Sequence, residues 1–228
     1  MRVTATRAVL LDVLGTLVRM LPPAPRLRDE LARRGVTVQL AAAEAAFAAE
    51  IPYYLEHHLE GRDQSSLAEL RNRCAAVLHH ALGVPGLPVP ETRQAMLAAI
   101  RFEAFPDAAP ALAELRARGL RLVAASNWDC SLPDVLGRAG LLESLDGVVS
   151  SAGAGAPKPD GAVFRAALEV AGCRPAEALH VGDSLDNDVV GARAAGIRAV
   201  LVRRGSGAGP AAVGVPVVSE LEELPSLT

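Results

Sequence analysis

The sequence predicts an α/β protein, a doubly wound parallel sheet accompanied by a smaller, all-helical domain. Its 228 residues suffice for a large core with an insert. Half of the residues are apolar but only 3% are aromatic, so the core must consist mainly of Ala, Val and Leu. Beyond about residue 104, short apolar segments alternate with segments of helical periodicity, which is typical of βαβ units in a parallel sheet.

The first part of the chain predicts one strand and then helices. The strand is expected at residues 7–12, an almost wholly apolar segment that ends on the carboxylate of Asp12. Residues 21–25, which read LPPAP, favour a stiff, non-helical linker. Segments rich in Ala, Leu, Glu and Arg then predict helices at residues 26–34, 39–60, 65–82 and 91–102. Pro52 should kink or split the second helix, and no strand is predicted between residues 26 and 103.

The second part of the chain predicts alternating strands and helices. Strands are expected at residues 120–125, 147–150, 178–182, 197–202 and 215–218. Helices are expected at residues 109–118, 132–139, 161–171 and 188–195. Pro216 would confine the last strand to an edge of the sheet. The chain therefore divides into an α/β core at residues 1–15 and 104–228 and a helical insert at residues 16–103.

Charge and cysteine usage exclude several classes of function. The formal net charge is -3 and the pI is about 6.0, which gives no basis for nucleic-acid binding. Cys74, Cys130 and Cys173 are far apart and form no CxxC pair, which argues against disulfides and zinc and favours a reducing, cytoplasmic location. No apolar run approaches the roughly 20 residues of a membrane span, and no signal peptide is evident, so no membrane partner is expected.

Side chains capable of chemistry follow four of the predicted strands. Because the carboxyl ends of parallel strands share one edge of the sheet, these side chains should converge where ligands bind in such folds. Lys158 is of particular interest because it is the only lysine in the sequence. Taken singly, each residue would be an ordinary turn or capping residue, but four coincidences at one edge indicate a site. The residues are Asp12, Ser126 with Asn127, Lys158, and Asp183 with Asp186 and Asp188.

These residue types suit hydrolysis through a covalent intermediate. An aspartate such as Asp12 can attack phosphorus or an activated carbon, which divides one difficult step into two. Since a carboxylate repels an anionic phosphate, a cation is needed, and Mg²⁺ is held in proteins by one or two carboxylates. Asp12 and Asp183 can provide them, while Lys158 and Ser126 can stabilise charge on the transferred group.

The same segments resemble the four motifs of the haloacid dehalogenase (HAD) superfamily, in order and with suitable spacing. They are DVLGTL at residues 12–17, Ser126-Asn127, KPD at residues 158–160 and GDSLDND at residues 182–188. The resemblance extends over nearly the whole chain. It implies a hydrolase with a Rossmann-like core, in which the helical insert is a cap domain placed just after the first strand.

The resemblance implies a nucleophile and a metal site. Asp12 would be the nucleophile. Mg²⁺ would be bound by Asp12, by Asp183 and by the backbone carbonyl of Leu14. Asp188 would support the metal through water.

The remaining catalytic roles come from the second and third motifs. Ser126 would hydrogen-bond the transferred group, and Asn127 would line the site. Lys158 would orient Asp12 and balance its charge. The expected partner is a small-molecule substrate, either a phosphorylated metabolite or a haloacid, and the oligomeric state is left open.

Leu14 departs from the family pattern. Most HAD phosphatases have a second aspartate at this position, which protonates the leaving alcohol and later activates water. Leucine can do neither. A Mg²⁺-dependent phosphatase would then take its acid from the cap or from water, or would act on an aryl or acyl phosphate with a good leaving group. Four cap histidines are candidate acids, although each is expected to be a surface residue: His57, His58, His79 and His80.

Two other hypotheses remain open. A 2-haloacid dehalogenase needs no acid, because halide leaves unprotonated, and it needs no metal; the acidic fourth motif would then be a set of crowded like charges. A non-catalytic HAD-fold protein that binds a phosphorylated ligand or a partner is the alternative from another class. A phosphonatase would need a lysine in the cap, and a receiver domain would lack the helical insert, so both are rejected.

Overall fold

The computed structural model describes residues 5–205 and 214–228 of the chain. The chain divides into two compact units. The α/β unit comprises Met1–Arg19 and Glu103–Thr228, and the helical unit comprises Met20–Phe102. No described helix has the length and apolar character that crossing a membrane requires.

A six-stranded sheet organises the α/β unit. Its strands are β1 (Ala8–Leu11), β4 (Arg121–Ser126), β5 (Gly147–Ser150), β6 (Ala178–Gly182), β7 (Arg198–Val202) and β8 (Val217–Val218). They lie in the order β5-β4-β1-β6-β7-β8, and each neighbouring pair is parallel. The predicted fold class is thereby confirmed, and the strand next to Pro216 is an edge strand. Two short strands, β2 (Val18–Met20) and β3 (Phe102–Ala104), pair with each other where the chain passes between the units.

The register of the central strands brings their carboxyl ends together. Leu11, the last residue of β1, pairs with Ala124 of β4 on one side and with Val181 of β6 on the other. The backbone N–H of Asp12 donates to the carbonyl of Val181 at 2.8 Å, so the residue after β1 still belongs to the ladder. The residues that follow these three strands therefore meet at one edge of the sheet.

Both faces of β1 are buried, because all four of its residues are fully covered and successive side chains point to opposite faces. On one face, Leu10 packs in a cluster with Phe164 and Ala167. The helices of this unit are α5 (Ala108–Ala117), α6 (Leu132–Arg138), α7 (Ser151–Ala154), α8 (Gly161–Ala171) and α9 (Gly191–Ala194). The covered sheet is a rigid support for the side chains at its carboxyl edge.

The helical unit has a separate core. Its helices are α1 (Pro23–Ala32), α2 (Leu40–His57), α3 (Gln64–Leu82) and α4 (Val89–Ala99). Leu27, Phe47, Leu78 and Met96, which come from the four helices, belong to one buried cluster. The unit therefore buries apolar surface of its own.

The structure corrects two sequence predictions in the helical unit. Residues 21–25 are not a linker, since α1 begins at Pro23; proline suits a first turn because its missing N–H is not needed there. Helix α2 continues through Pro52 and is therefore not split there, while the alternative of a kink stays a prediction. The last helix ends at Ala99, and β3 begins at Phe102, within the stretch where no strand was predicted.

The segment after β6 is also more irregular than predicted. A single helix was expected at residues 188–195. Instead, a π-helical turn at Leu185–Val190 precedes α9. The Ser184 hydroxyl accepts the N–H of Asn187 at 3.1 Å and so caps this turn. Wider turns of this kind are frequent at functional sites.

Candidate active site

Asp12 stands at the carboxyl end of the central strand β1 and is almost fully buried. Ser126, the last residue of the neighbouring β4, donates its hydroxyl to Asp12 Oδ1 at 2.9 Å. Lys158 Nζ donates to the same oxygen at 2.7 Å. Ser126 and Lys158, which are distant from Asp12 in the sequence, thus both contact its carboxylate directly.

Lys158 uses all three of its N–H donors inside the protein. Besides Asp12, its Nζ donates to the carbonyl of Ala125 at 2.9 Å and to Asp188 Oδ1 at 2.5 Å. Burial by itself would lower the pKa of Lys158, but the charges of Asp12 and Asp188 outweigh it and raise that pKa. Lys158 is therefore a fixed positive charge between two aspartates.

Asn127 contacts the backbone of Lys158. Its Oδ1 accepts the Lys158 N–H at 2.7 Å, and its Nδ2 donates to the Lys158 carbonyl at 3.0 Å. These bonds hold the segment that carries the lysine. Asn127 thus has a means of positioning Lys158.

Three carboxylates form a cluster beside this lysine. One oxygen each of Asp12, Asp183 and Asp188 lies within 4.8 Å of the others; Asp12 and Asp188 are buried, whereas Asp183 is exposed, as is Asp186. Partial desolvation of its carboxyl group, reinforced by the charges of Asp12 and Asp188, raises the pKa of Asp183 to about 6. Three carboxylates against the single ammonium of Lys158 leave an excess of negative charge. The donor set therefore fits Mg²⁺, a hard cation that prefers carboxylate oxygens.

The two buried aspartates of the cluster have opposite pKa shifts. Burial raises the pKa of Asp12, against the opposing effect of Lys158. Burial would also raise the pKa of Asp188, but hydrogen bonding to His180 and the charge of Lys158 hold it below its usual range. A bound cation would favour the ionised form of Asp12 that nucleophilic attack requires.

Two glycines make room for the carboxylates. A Cβ on Gly15, whose φ is 83°, would overlap Asp183 Oδ2. A Cβ on Gly182 would overlap Asp188 Cγ. The close approach of both aspartates to the strand ends therefore depends on the absence of a side chain at these positions.

His180 is a member of the site that the sequence prediction missed. It is fully buried in β6, and its Nε2 lies 2.9 Å from Asp188 Oδ1. The backbone N–H of Ser184 donates to Asp188 Oδ2 at 2.9 Å, so both oxygens of Asp188 accept hydrogen bonds. The available signal was a lone histidine in an otherwise apolar strand, two residues before Gly182.

Leu14 presents an apolar group two residues after Asp12. Its side chain is 42% exposed, so it is accessible at the position where the family pattern has an acid. The contribution of the Leu14 carbonyl to a metal site stays a prediction.

The four histidines proposed as acids lie in the helical unit. His57 stacks on Tyr53 at 4.1 Å between ring centroids, and its Nδ1 lies 2.8 Å from the Tyr53 carbonyl. His58 is buried, so the prediction that it is a surface residue was wrong. His79 Nδ1 lies 3.0 Å from the hydroxyl of Thr92, and His80 is exposed.

Comparison with known proteins is consistent with this arrangement. A family model described as haloacid dehalogenase-like hydrolase matches residues 6–196. The mouse haloacid dehalogenase-like hydrolase domain-containing protein 3 is 32% identical over 200 residues, which cover 84% of this chain and 79% of the mouse protein. The matches to its bovine and human counterparts span only 35% and 40% of those proteins.

Phosphatases and dehalogenases both occur among the similar proteins. The phosphoserine phosphatase of Thermus thermophilus is 33% identical over 227 residues, covering 87% of this chain and 89% of that enzyme. The solved structure of L-2-haloacid dehalogenase from Xanthobacter autotrophicus superposes with a TM-score of 0.67 at 26% identity, covering 97% and 98% of the two chains. Since the family model spans most of the chain and the motif residues assemble at one edge of the sheet, the chain belongs to the haloacid dehalogenase-like hydrolases.

Proposed function

We propose that this hydrolase is a Mg²⁺-dependent phosphatase that acts on a small phosphorylated metabolite through phosphorylation of Asp12. The cluster of Asp12, Asp183 and Asp188 carries this proposal. A phosphate group could not approach such a cluster unless its excess negative charge were neutralised. Mg²⁺ held by these carboxylates would supply that charge and polarise the phosphoryl group.

The residues of the chain account for the two chemical steps. A carboxylate oxygen of Asp12 bonds to phosphorus while the bond from phosphorus to the leaving-group oxygen breaks, and the leaving group departs with that electron pair. Ser126 and Lys158 are both hydrogen-bonded to Asp12, and the positive charge of Lys158 and the hydroxyl of Ser126 would stabilise charge on the transferred group. Water then attacks the phosphorus, which releases inorganic phosphate and restores the carboxylate of Asp12.

Leu14 restricts the leaving groups that such an enzyme handles well. General acid catalysis contributes roughly 10²–10⁴-fold, and leucine supplies none of it. Aryl and acyl phosphates, whose leaving groups depart as stable anions, should therefore react faster than alkyl phosphates. Phosphoserine, the substrate in the name of the Thermus relative, is an alkyl phosphate and provides the informative comparison.

The exposed Leu14 also favours a second candidate, a metal-independent 2-haloacid dehalogenase. Halide leaves without a proton, so leucine would cost nothing in that reaction. The similarity to the Xanthobacter dehalogenase supports this alternative. Asp183 and Asp188 count against it, because without a metal ion Lys158 would be left to balance three carboxylates.

A release assay on metal-stripped protein, with and without added Mg²⁺, tests both candidates. Phosphate would be measured from p-nitrophenyl phosphate, acetyl phosphate and phosphoserine, and chloride from 2-chloropropionate. Mg²⁺-dependent phosphate release that is absent in Asp12→Asn is the expected result. Metal-independent chloride release would instead support the dehalogenase, and Mg²⁺ binding with neither product would support a non-catalytic role.

A further inference from the structure

His180 is a buried polar side chain beside the proposed metal site to which no motif assigns a role. Its ring edge packs against Phe164, with centroids 5.0 Å apart and planes at 87°. Its Nε2 is 2.9 Å from Asp188 Oδ1. A polar ring at a fully buried position is costly unless it is hydrogen-bonded, so this contact is the natural reason for a histidine here.

The contacts of Asp188 indicate which nitrogen of His180 carries the proton. The ammonium of Lys158 lies 2.5 Å from Asp188 Oδ1, which favours an ionised carboxylate that can only accept hydrogen bonds. The proton between His180 and Asp188 must then be on Nε2. The other ring nitrogen, Nδ1, is buried and has no hydrogen-bond partner among the residues that the structure describes, so a proton there would be an unsatisfied donor. A proton on Nε2 and none on Nδ1 agrees with both observations.

We propose that His180 is a positioning residue whose Nε2–H holds Asp188 in the orientation that the metal site needs. Asp188 Oδ1 accepts from His180 and Lys158, while Oδ2 accepts from the N–H of Ser184. Without His180, the carboxylate would keep the ammonium of Lys158 and the N–H of Ser184 but lose one of the three donors that fix its orientation. This role rests on the proposed Mg²⁺-dependent function, because it is the carboxylate cluster that His180 orders.

A histidine that only fills space against Phe164 would behave differently from one that donates to Asp188. Glutamine and asparagine at position 180 separate the two roles, since both place a polar amide in the core. The side-chain N–H of glutamine can reach the place of Nε2, whereas that of asparagine lies near the place of Nδ1. The pair therefore differs mainly in the hydrogen bond to Asp188.

The first test compares His180→Gln with His180→Asn by titration calorimetry with Mg²⁺ alone, after thermal unfolding has established that each variant is folded. We expect the glutamine variant to stay near the wild-type Kd and the asparagine variant to bind Mg²⁺ about tenfold or more weakly, the usual effect of losing a group that orients a metal ligand. Equal Mg²⁺ affinities of the two variants would overturn the proposal. If the wild-type protein binds no Mg²⁺, the proposed function fails first, and the metal-orienting role fails with it.

A second measurement needs no variant. Long-range ¹H–¹⁵N NMR correlations of the wild-type histidine rings identify the tautomer, and contacts between ring protons of His180 and Phe164 assign the signal. A ring with its proton on Nε2 is expected. A ring with its proton on Nδ1 and none on Nε2 would overturn the proposal even if neither variant folds.

Discussion

The side chain of Asn127 forms hydrogen bonds with both backbone groups of Lys158, accepting its N–H at 2.7 Å and donating to its carbonyl at 3.0 Å. The only lysine of the chain is thus held by a residue 31 positions earlier. Since the ammonium of Lys158 contacts both Asp12 and Asp188, we expect a substitution of Asn127 to affect the position of Lys158 relative to both carboxylates.

Asn127→Ala should lower both stability and turnover. Two hydrogen bonds are lost, each worth about 0.5–1.5 kcal/mol, so the free energy of unfolding should fall by about 1–3 kcal/mol. The measurement is urea unfolding together with kcat for p-nitrophenyl phosphate. A variant with the expected loss of stability but unchanged kcat would show that the hydrogen bonds of Asn127 do not affect turnover through Lys158.

Asp12→Asn should abolish turnover and leave the fold intact. Asparagine can still accept the hydrogen bonds that reach Asp12 Oδ1, but its amide is not a nucleophile. Phosphate release and the thermal unfolding midpoint check the two halves of this expectation. Full activity in a folded Asp12→Asn protein would exclude Asp12 as the nucleophile.

Leu14→Asp should raise activity toward alkyl phosphates such as phosphoserine. The Leu14 side chain is 42% exposed, so an aspartate there need not be buried. The gain should approach the roughly 10²–10⁴-fold that general acid catalysis contributes, and it should be much smaller for p-nitrophenyl phosphate, whose leaving group needs no proton. An equal gain for both substrates would mean that the substitution acts on something other than protonation.

Gly182→Ala should disturb Asp188, because the added Cβ would overlap Asp188 Cγ. We expect a loss of about 1–3 kcal/mol of stability, as for other overpacked sites, and weaker Mg²⁺ binding by calorimetry. Gly137→Ala in α6 is the matched control, since its Cβ would meet only Leu142 Cδ2 at 3.8 Å. That control should retain Mg²⁺ affinity and gain about 0.5–1 kcal/mol of stability. Similar behaviour of the two variants would contradict the steric argument.

Glu177 should stabilise the folded protein at neutral pH but not at strongly acidic pH. Hydrogen bonds from the side chain and backbone N–H of Arg174 lower the pKa of Glu177 from 4.5 to about 2. Because the folded-state pKa lies below the unfolded one, this contribution is complete above about pH 4.5 and is lost as the pH falls toward 2. The thermal midpoint of Glu177→Gln should therefore lie below that of the wild type at neutral pH, and the gap should close as the pH falls. A gap that is constant with pH would contradict the prediction.

Much of the fold could be predicted because local signals and tertiary structure agree. The strand at residues 178–182 and the helix at residues 161–171 were predicted with the bounds that the structure shows. Both are apolar segments ended by turn residues or glycine. Strands β2 and β3 could not be predicted, since three residues are too few to show a period of two.

The sequence predicts which residues form the site better than it predicts the contacts among them. The positions of Asp12, Ser126 and Lys158 follow from strand ends in a parallel sheet. The contact of His180 with Asp188 depends on the π-helical turn that follows β6 and brings Asp188 back against that strand. The periodicity of apolar residues in the sequence does not predict such a turn. The hydrogen bonds between Asn127 and the backbone of Lys158 depend likewise on the path of a loop, which the local sequence does not determine.

Because β2 pairs with β3, the segment that leads into the helical unit and the segment that leads out of it lie side by side. Everything between Met20 and Phe102 could therefore be lengthened, shortened or exchanged while β1, β4 and β6 keep their register. Asp12, Ser126, Lys158 and Asp188 all belong to the other unit. The helical segment can accordingly diverge in sequence and length during evolution while the carboxylate cluster is retained.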